Sequence, residues 1–220
     1  MDFLIFGSIS YLNLLPFQIF FKKNIKNSQI KQIVQYKKSV PSAINKKFKN
    51  RKIDAAFISS IKSKNKNCTN LGIVSYKEVY SVFVIEGREK KDIESDTSNA
   101  LAKVLNLKGE VTIGDKALKL YLKEKDLNYK DLSLEWYKKE GLPFVFARLC
   151  YNKHSKLIKP LAKKFALSKT KIPNYYLKKA AKEKGLSPKE LKWYLQHIYY
   201  NLNYKEKKAL KTFLKLSSHI

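Results

Sequence analysis

Histidine is scarce in this chain of 220 residues. His154, His197 and His219 all lie in the C-terminal region, and none stands at ligand spacing from a cysteine, aspartate or glutamate. That argues against a protein-bound catalytic metal. The two cysteines, Cys68 and Cys150, are far apart and match no metal or redox pattern, so they read as reduced, packed thiols. Glycine is sparse as well. No Gly-x-Gly-x-x-Gly and no Walker-type loop occurs, so the sequence offers no cradle for a nucleotide cofactor. No nucleophile elbow is present either. No run is long and apolar enough to span a bilayer. Met1-Asp2-Phe3 puts an acid where an export signal carries positive charge, and the apolar run behind it is too short for a signal core. The chain reads as cytoplasmic.

Arginine is rare too, at Arg51, Arg88 and Arg148 only, although the formal charge is +28. The excess is nearly all lysine, spread along the whole chain among many Asn, Ile and Tyr. Phosphate and base readers favour arginine. The pattern is therefore a compositional bias on solvated faces, and neither a nucleic acid nor a membrane is expected as partner. A basic field still helps attract an anionic substrate.

What is present is an α/β pattern, long enough for one large domain or two small lobes. Phe3-Leu4-Ile5-Phe6 predicts a buried first strand, and Pro16 opens a helix carrying Phe17 and Phe21. Ser8, Ser10 and Asn13 lie on the turn between them. Ligands of open α/β sheets bind at such carboxyl-terminal strand ends, although small polar residues there are also ordinary turn chemistry. A second strand is expected over 30–36, then a helix to Lys49 with Ser39 as N-cap and Val40, Ile44 and Phe48 on its apolar stripe. A third strand over 53–58 ends in Ser59-Ser60, which gives a parallel βαβαβ unit with both serines beside the first turn. Residues 63–70 read as a polar loop. Residues 71–85 read as a strand, a break at 76–78 and a second strand carrying Ser81. The crossing to a second lobe is expected at 86–92.

In that lobe Ser95 or Asp96 caps a helix with Thr97 and Ser98 in its first turn. Their hydroxyls, the free backbone N–H groups and the helix dipole suit a carboxylate, or they serve only as a cap. A strand over 110–113 ends in Gly114-Asp115 and leads into a helix. Residues 126–136 read as a connector, and 141–148 as a strand returning to the first lobe. From His154 onward only helices are expected, the third opened by the capping box Ser187-Pro188-Lys189-Glu190. The expected boundaries are 1–85 with about 186–220 for one lobe and 86–185 for the other. A ligand would lie in the cleft between them. Small hydroxyls, the Asn13 amide and Asp115 converge there, with no strong base. That set fits a receptor for anions, or an enzyme whose substrate does part of the work.

Six stretches in order carry a resemblance: 9–16 (Ile-Ser-Tyr-Leu-Asn-Leu-Leu-Pro), Asp54-Ala55-Ala56, Tyr80-Ser81-Val82, Ser95-Asp96-Thr97-Ser98, 113–117 (Ile-Gly-Asp-Lys-Ala) and 141–147 (Gly-Leu-Pro-Phe-Val-Phe-Ala). Up to about Ala147 the chain resembles the chorismate dehydratase family of the futalosine-dependent menaquinone pathway. The resemblance implies a two-lobed fold like that of type II periplasmic binding proteins, with C-terminal helices and an interlobe cleft. It implies dehydration of chorismate to 3-[(1-carboxyvinyl)oxy]benzoate. A proton leaves the ring carbon bearing the ether and the neighbouring hydroxyl is expelled. Aromatisation drives the step without a cofactor or metal, and a substrate carboxylate can serve as base. Carried over, Asn13 and Ser81 would be catalytic. Thr97 and Ser98 would hold one carboxylate and Ser59 the other, with Ser10 beside them. Asp115 would bind substrate or cap a turn, with equal weight. Two departures stand out: Ser95-Asp96 where a serine and a variable residue are expected, and Arg148 near an expected aromatic. The sister dihydroxynaphthoate synthase is the alternative, but its Cys-Pro-Asn-Asp-like first turn and catalytic histidine have no counterpart before His154. A non-catalytic solute receptor is the third reading, and the missing export signal argues against it.

Overall fold

The computed structural model describes residues 3–25, 34–124, 126–168 and 171–219. Strand β1 (Leu4–Ile9) runs into a short 3-10 turn (Leu12–Leu14) and helix α1 (Leu15–Asn24). Pro16 sits in the first turn of α1, where its missing N–H costs nothing. Strand β2 (Val34–Ser39), helix α2 (Pro41–Lys49) and strand β3 (Ala55–Ser59) complete the βαβαβ unit, with β1 parallel to both neighbours. The expected start of β2 over 30–33 lies outside the described residues. Ser39 is the last residue of β2, paired with Ile9, and does not cap α2. Pro41 holds Val40 extended, so the helix begins one residue too late for Ser39 to reach its amides.

The main sheet has six strands in the order β2-β1-β3-β8-β4-β9, where β4 is Cys68–Ser75, β8 is Phe144–Tyr151 and β9 is Tyr199–Asn201. Every residue of β3 is buried, because neighbours pair on both edges and helices cover both faces. Phe17 of α1 meets Phe57 of β3 and Phe165 of helix α6 (Ser155–Leu167), with ring centroids 4.9 and 5.2 Å apart. The smaller sheet, β6-β5-β7, is built from β5 (Val82–Ile85), β6 (Glu110–Ile113) and β7 (Tyr129–Asp131). Around it lie α3 (Asp96–Val104), α4 (Gly114–Lys123) and α5 (Leu132–Glu140). The remaining helices are α7 (Asn174–Glu183), α8 (Pro188–Leu195) and α9 (Tyr204–Leu216).

By sheet membership the chain leaves the main sheet after Ser75, joins the smaller one at Val82 and rejoins the main sheet at Phe144, within the stretch 141–148 expected to return to the first lobe. Three expectations change. The connector holds β7 and the start of α5. Asp131 caps that helix by accepting from the N–H groups of Ser133 and Leu134 at 2.9 and 3.1 Å. The C-terminal region is not only helical, since α8 ends at Leu195 and β9 follows on the sheet edge. Cys68 and Cys150 face each other across β4 and β8 and are joined in a disulfide. Only the strand pairing brings together two residues 82 apart in sequence.

Candidate functional site

A cavity of about 60 Å³ lies where the two sheets face each other. Elements of both contribute to it. Asn13 enters from the turn after β1, Ser59 from the end of β3, Ser81 from the start of β5, and Ser95 and Ser98 from the start of α3. Pro41 opens α2, and Gly114 opens α4 at the same place. The cavity therefore gathers helix N-termini, whose free N–H groups and positive dipole ends favour anions. The walls are apolar, with Ile73, Val82, Phe146 and Ile198 among them. Among the described residues that line it, none is acidic, basic or histidine.

Each polar group has a definite setting. The Asn13 Oδ1 is buried and has no hydrogen-bond partner among the described residues. The Asn13 backbone carbonyl accepts from the Tyr200 hydroxyl at 2.6 Å, which fixes the turn. Ser59 is locked to Asn45 of α2: its hydroxyl accepts from Nδ2 at 2.8 Å and its N–H donates to Oδ1 at 3.0 Å. A hydroxyl that accepts still has its own proton to donate, so Ser59 can donate into the cavity. Ser95 accepts from the Ser98 N–H at 3.1 Å and donates to the Ser98 hydroxyl at 2.8 Å, which leaves the Ser98 proton free in the same way. Ser81 shares a 2.9 Å hydrogen bond with the Tyr194 hydroxyl of α8. Burial pushes that phenol well above its ordinary range, so it stays protonated.

Tyr11 closes one side. Its hydroxyl donates to Glu94, and burial with that carboxylate raises its pKa strongly. Gly114 adopts φ +67°, and a Cβ there would meet the Tyr11 ring at 2.8 Å, so only glycine allows this approach. The Gly114 N–H donates to the Ser81 carbonyl at 2.7 Å, which ties α4 to β5.

The structure thus brings Asn13, Ser59, Ser81 and Ser98 to one cavity and places three other candidates elsewhere. Ser10 follows β1 and is exposed, between the cavity-lining Ile9 and Tyr11. Thr97, one residue before Ser98 and turned about a quarter of the way round the helix, accepts from the Ile61 N–H at 3.3 Å. Asp115 accepts from the Leu12 N–H at 3.0 Å and holds Lys184 at 2.7 Å, so it clips the first turn to α4. The sequence pattern gave Tyr194, Tyr11 and Ile198 no part in the site. Contacts that join residues more than a hundred positions apart leave no local pattern to read. No group of three or more His, Cys, Asp or Glu side chains placed to hold a metal is found among the described residues.

A family model described as menaquinone biosynthesis matches residues 4–110 and 93–219. The chain belongs to the menaquinone biosynthesis family. A relative from Campylobacter jejuni subsp. jejuni serotype O:23/36 (strain 81-176), named chorismate dehydratase, is 49% identical over 216 residues, which is 96% of each chain. An Archaeoglobus fulgidus crystal structure superposes with a TM-score of 0.74 at 12% identity, over 98% of this chain and 96% of that one. A Candida albicans protein described as having the generic periplasmic binding protein fold gives 0.58 at 12% identity, over 100% and 91%. The periplasmic aliphatic sulphonate binding protein of Escherichia coli gives 0.57 at 12% identity, over 100% and 92%. This member of the menaquinone biosynthesis family therefore has the periplasmic-binding-protein fold. No described helix is long and apolar enough to cross a membrane.

Proposed function

We propose that the protein removes water from chorismate to give 3-[(1-carboxyvinyl)oxy]benzoate. One observation carries the reading. A cavity that collects an amide, several hydroxyls and helix N-termini, with no acidic, basic or histidine side chain on its described lining, occurs in a chain 49% identical to a chorismate dehydratase. Chorismate bears two carboxylates, a ring hydroxyl and an enolpyruvyl ether. Ser98 at the α3 N-terminus suits one carboxylate and Ser59 the other. The unpartnered Asn13 Oδ1 accepts from the ring hydroxyl and fixes the leaving group. A carboxylate of the bound substrate takes the proton from the ring carbon that bears the ether. The C–H electron pair becomes the new ring double bond, and the neighbouring C–O bond breaks with its electron pair on oxygen. Ser81, backed by Tyr194, donates a hydrogen bond to that oxygen. The hydroxide departs as water with the proton the carboxylate removed. Position and electrostatics do the work of the protein, and aromatisation supplies the drive. The sister synthase is disfavoured, since none of the three histidines lines the cavity.

The test is to mix purified protein with chorismate, follow the loss of its diene absorbance and identify the product by mass. Loss of one water with formation of an aromatic enolpyruvyl ether supports the reading. Binding with no turnover reduces the protein to a receptor, and the absence of both overturns the substrate.

A further inference from the structure

A second concavity, of about 450 Å³, shares no lining residue with the first. Its polar lining is Lys64, Arg148, Lys207, Lys211, Lys215 and Ser218, and leucines make up the rest. Arg148 stands on β8 between β3 and β4, paired with Ile58 on one side and Gly72 on the other. Its neighbour Ala147 lines the chorismate cavity, whereas Arg148 lines this groove. Its guanidinium is half-buried, and its Nε is buried with no acceptor among the described residues. No described carboxylate forms an ion pair with it or with any of the four lysines. A partly desolvated cation without a counter-ion is costly, and a guanidinium that keeps an unused donor is unusual in a folded protein.

The lysines sharpen the point. Lys207, Lys211 and Lys215 recur every fourth residue on α9, so they share one face of the helix. Like charges at this spacing destabilise a helix. The acid in the first turn of α9, Glu206, is already engaged by the Tyr199 hydroxyl and the Asn203 N–H. Lys64 adds a fifth cation from the loop before β4. The groove therefore concentrates positive charge over a planar donor fork, the geometry that takes two oxygens of one phosphate.

We propose that this groove binds a free, multiply charged phosphate anion of the pyrophosphate kind, with Arg148 taking two oxygens and the α9 lysines neutralising the remaining charge. Inorganic pyrophosphate is the probe, titrated calorimetrically into the full chain at about 0.15 M salt, where diffuse surface attraction is largely screened. Three variants are compared with wild type. Lys207→Ala with Lys211→Ala removes two groove charges. Lys178→Ala with Lys179→Ala removes two exposed charges from α7. Arg148→Lys keeps the charge and removes the fork. The expected result is one equivalent bound by wild type, affinity about tenfold or more weaker in the groove pair and in Arg148→Lys, and affinity within about twofold of wild type in the α7 pair. Absence of binding overturns the proposal. Equal losses in the two lysine pairs overturn it as well, since that is the signature of a diffuse lysine field. The lysine pairs sit on the surface, so the comparison stands even if Arg148→Lys fails to fold.

Discussion

Replacing Asp131 by asparagine probes how the crossing that carries Ser81 is held. The Asp131 carboxyl is almost wholly buried and accepts four backbone N–H bonds. Oδ2 takes Val79 and Tyr80 at 2.9 and 2.8 Å, and Oδ1 takes Ser133 and Leu134 at 2.9 and 3.1 Å. Val79 lines the cavity, Ser81 follows Tyr80, and Tyr80 is held at φ +59°, which a non-glycine residue adopts only under constraint. Asparagine keeps one oxygen and presents NH2 to the other pair of donors. Two N–H groups then lose their acceptor at about 1–3 kcal/mol each, and since one amide of each pair is only partly buried the expected loss is about 2–4 kcal/mol. Urea unfolding followed by circular dichroism measures it. kcat/KM for chorismate should fall with it, because Ser81 loses its anchor. A loss below about 0.5 kcal/mol with unchanged turnover would mean that these four bonds do not hold the crossing. The pH dependence gives a second reading. Burial pushes the Asp131 pKa up to about 6 despite the four donors, against about 3.9 in an unfolded chain. The folded state then holds the proton more readily. The contribution of this group is full below about pH 4 and is lost as pH rises through about 6. The advantage of wild type over Asp131→Asn should be larger at about pH 5 than at about pH 7.5, and the reverse order would mean that the donors outweigh burial.

Asn13→Ala should fold with near-wild-type stability and lose most turnover, about a hundredfold or more in kcat; wild-type kcat would remove the amide from the mechanism. Thr97→Val and Ser98→Ala should separate. The first costs about 1 kcal/mol of stability through the lost Ile61 bond and leaves KM unchanged, and the second raises KM for chorismate severalfold, as kinetics alongside thermal melts will show. With a net charge of +28 and a dianionic substrate, kcat/KM should fall steadily as sodium chloride is raised. A salt-independent kcat/KM would show that the basic surface plays no part in capture.

The parts legible in the sequence were those with local physical signatures. Pro16 after an apolar strand marked the start of α1, the capping box at Ser187 and Glu190 marked α8, and the apolar run ending in Ser59 marked β3. Asn13, Ser59, Ser81 and Ser98 were legible as strand-end or helix-start residues in an α/β chain, and the structure gathers them at one cavity. What stayed hidden depended on distance along the chain. Cys68 meets Cys150 only because β4 and β8 pair, and Ser81 meets Tyr194 only because α8 returns to the cavity. The three residues of β9 are too few to show a period of two, and they follow a helical pattern that runs up to them. Ser10 and Thr97 show the finer limit. Each is one residue from a cavity-lining position, and in a helix a shift of one residue turns a side chain about a quarter of the way round.

In the proposed mechanism the cavity positions chorismate and leaves proton removal to a substrate carboxylate. The most direct measurement is kcat at saturating chorismate between about pH 6 and 9, the range in which a protein base would titrate. A flat profile is predicted, since no described cavity-lining side chain changes charge in that range. A rise or bell with a pKa near 7, abolished by replacing one protein residue, would place the base on the protein and contradict the account.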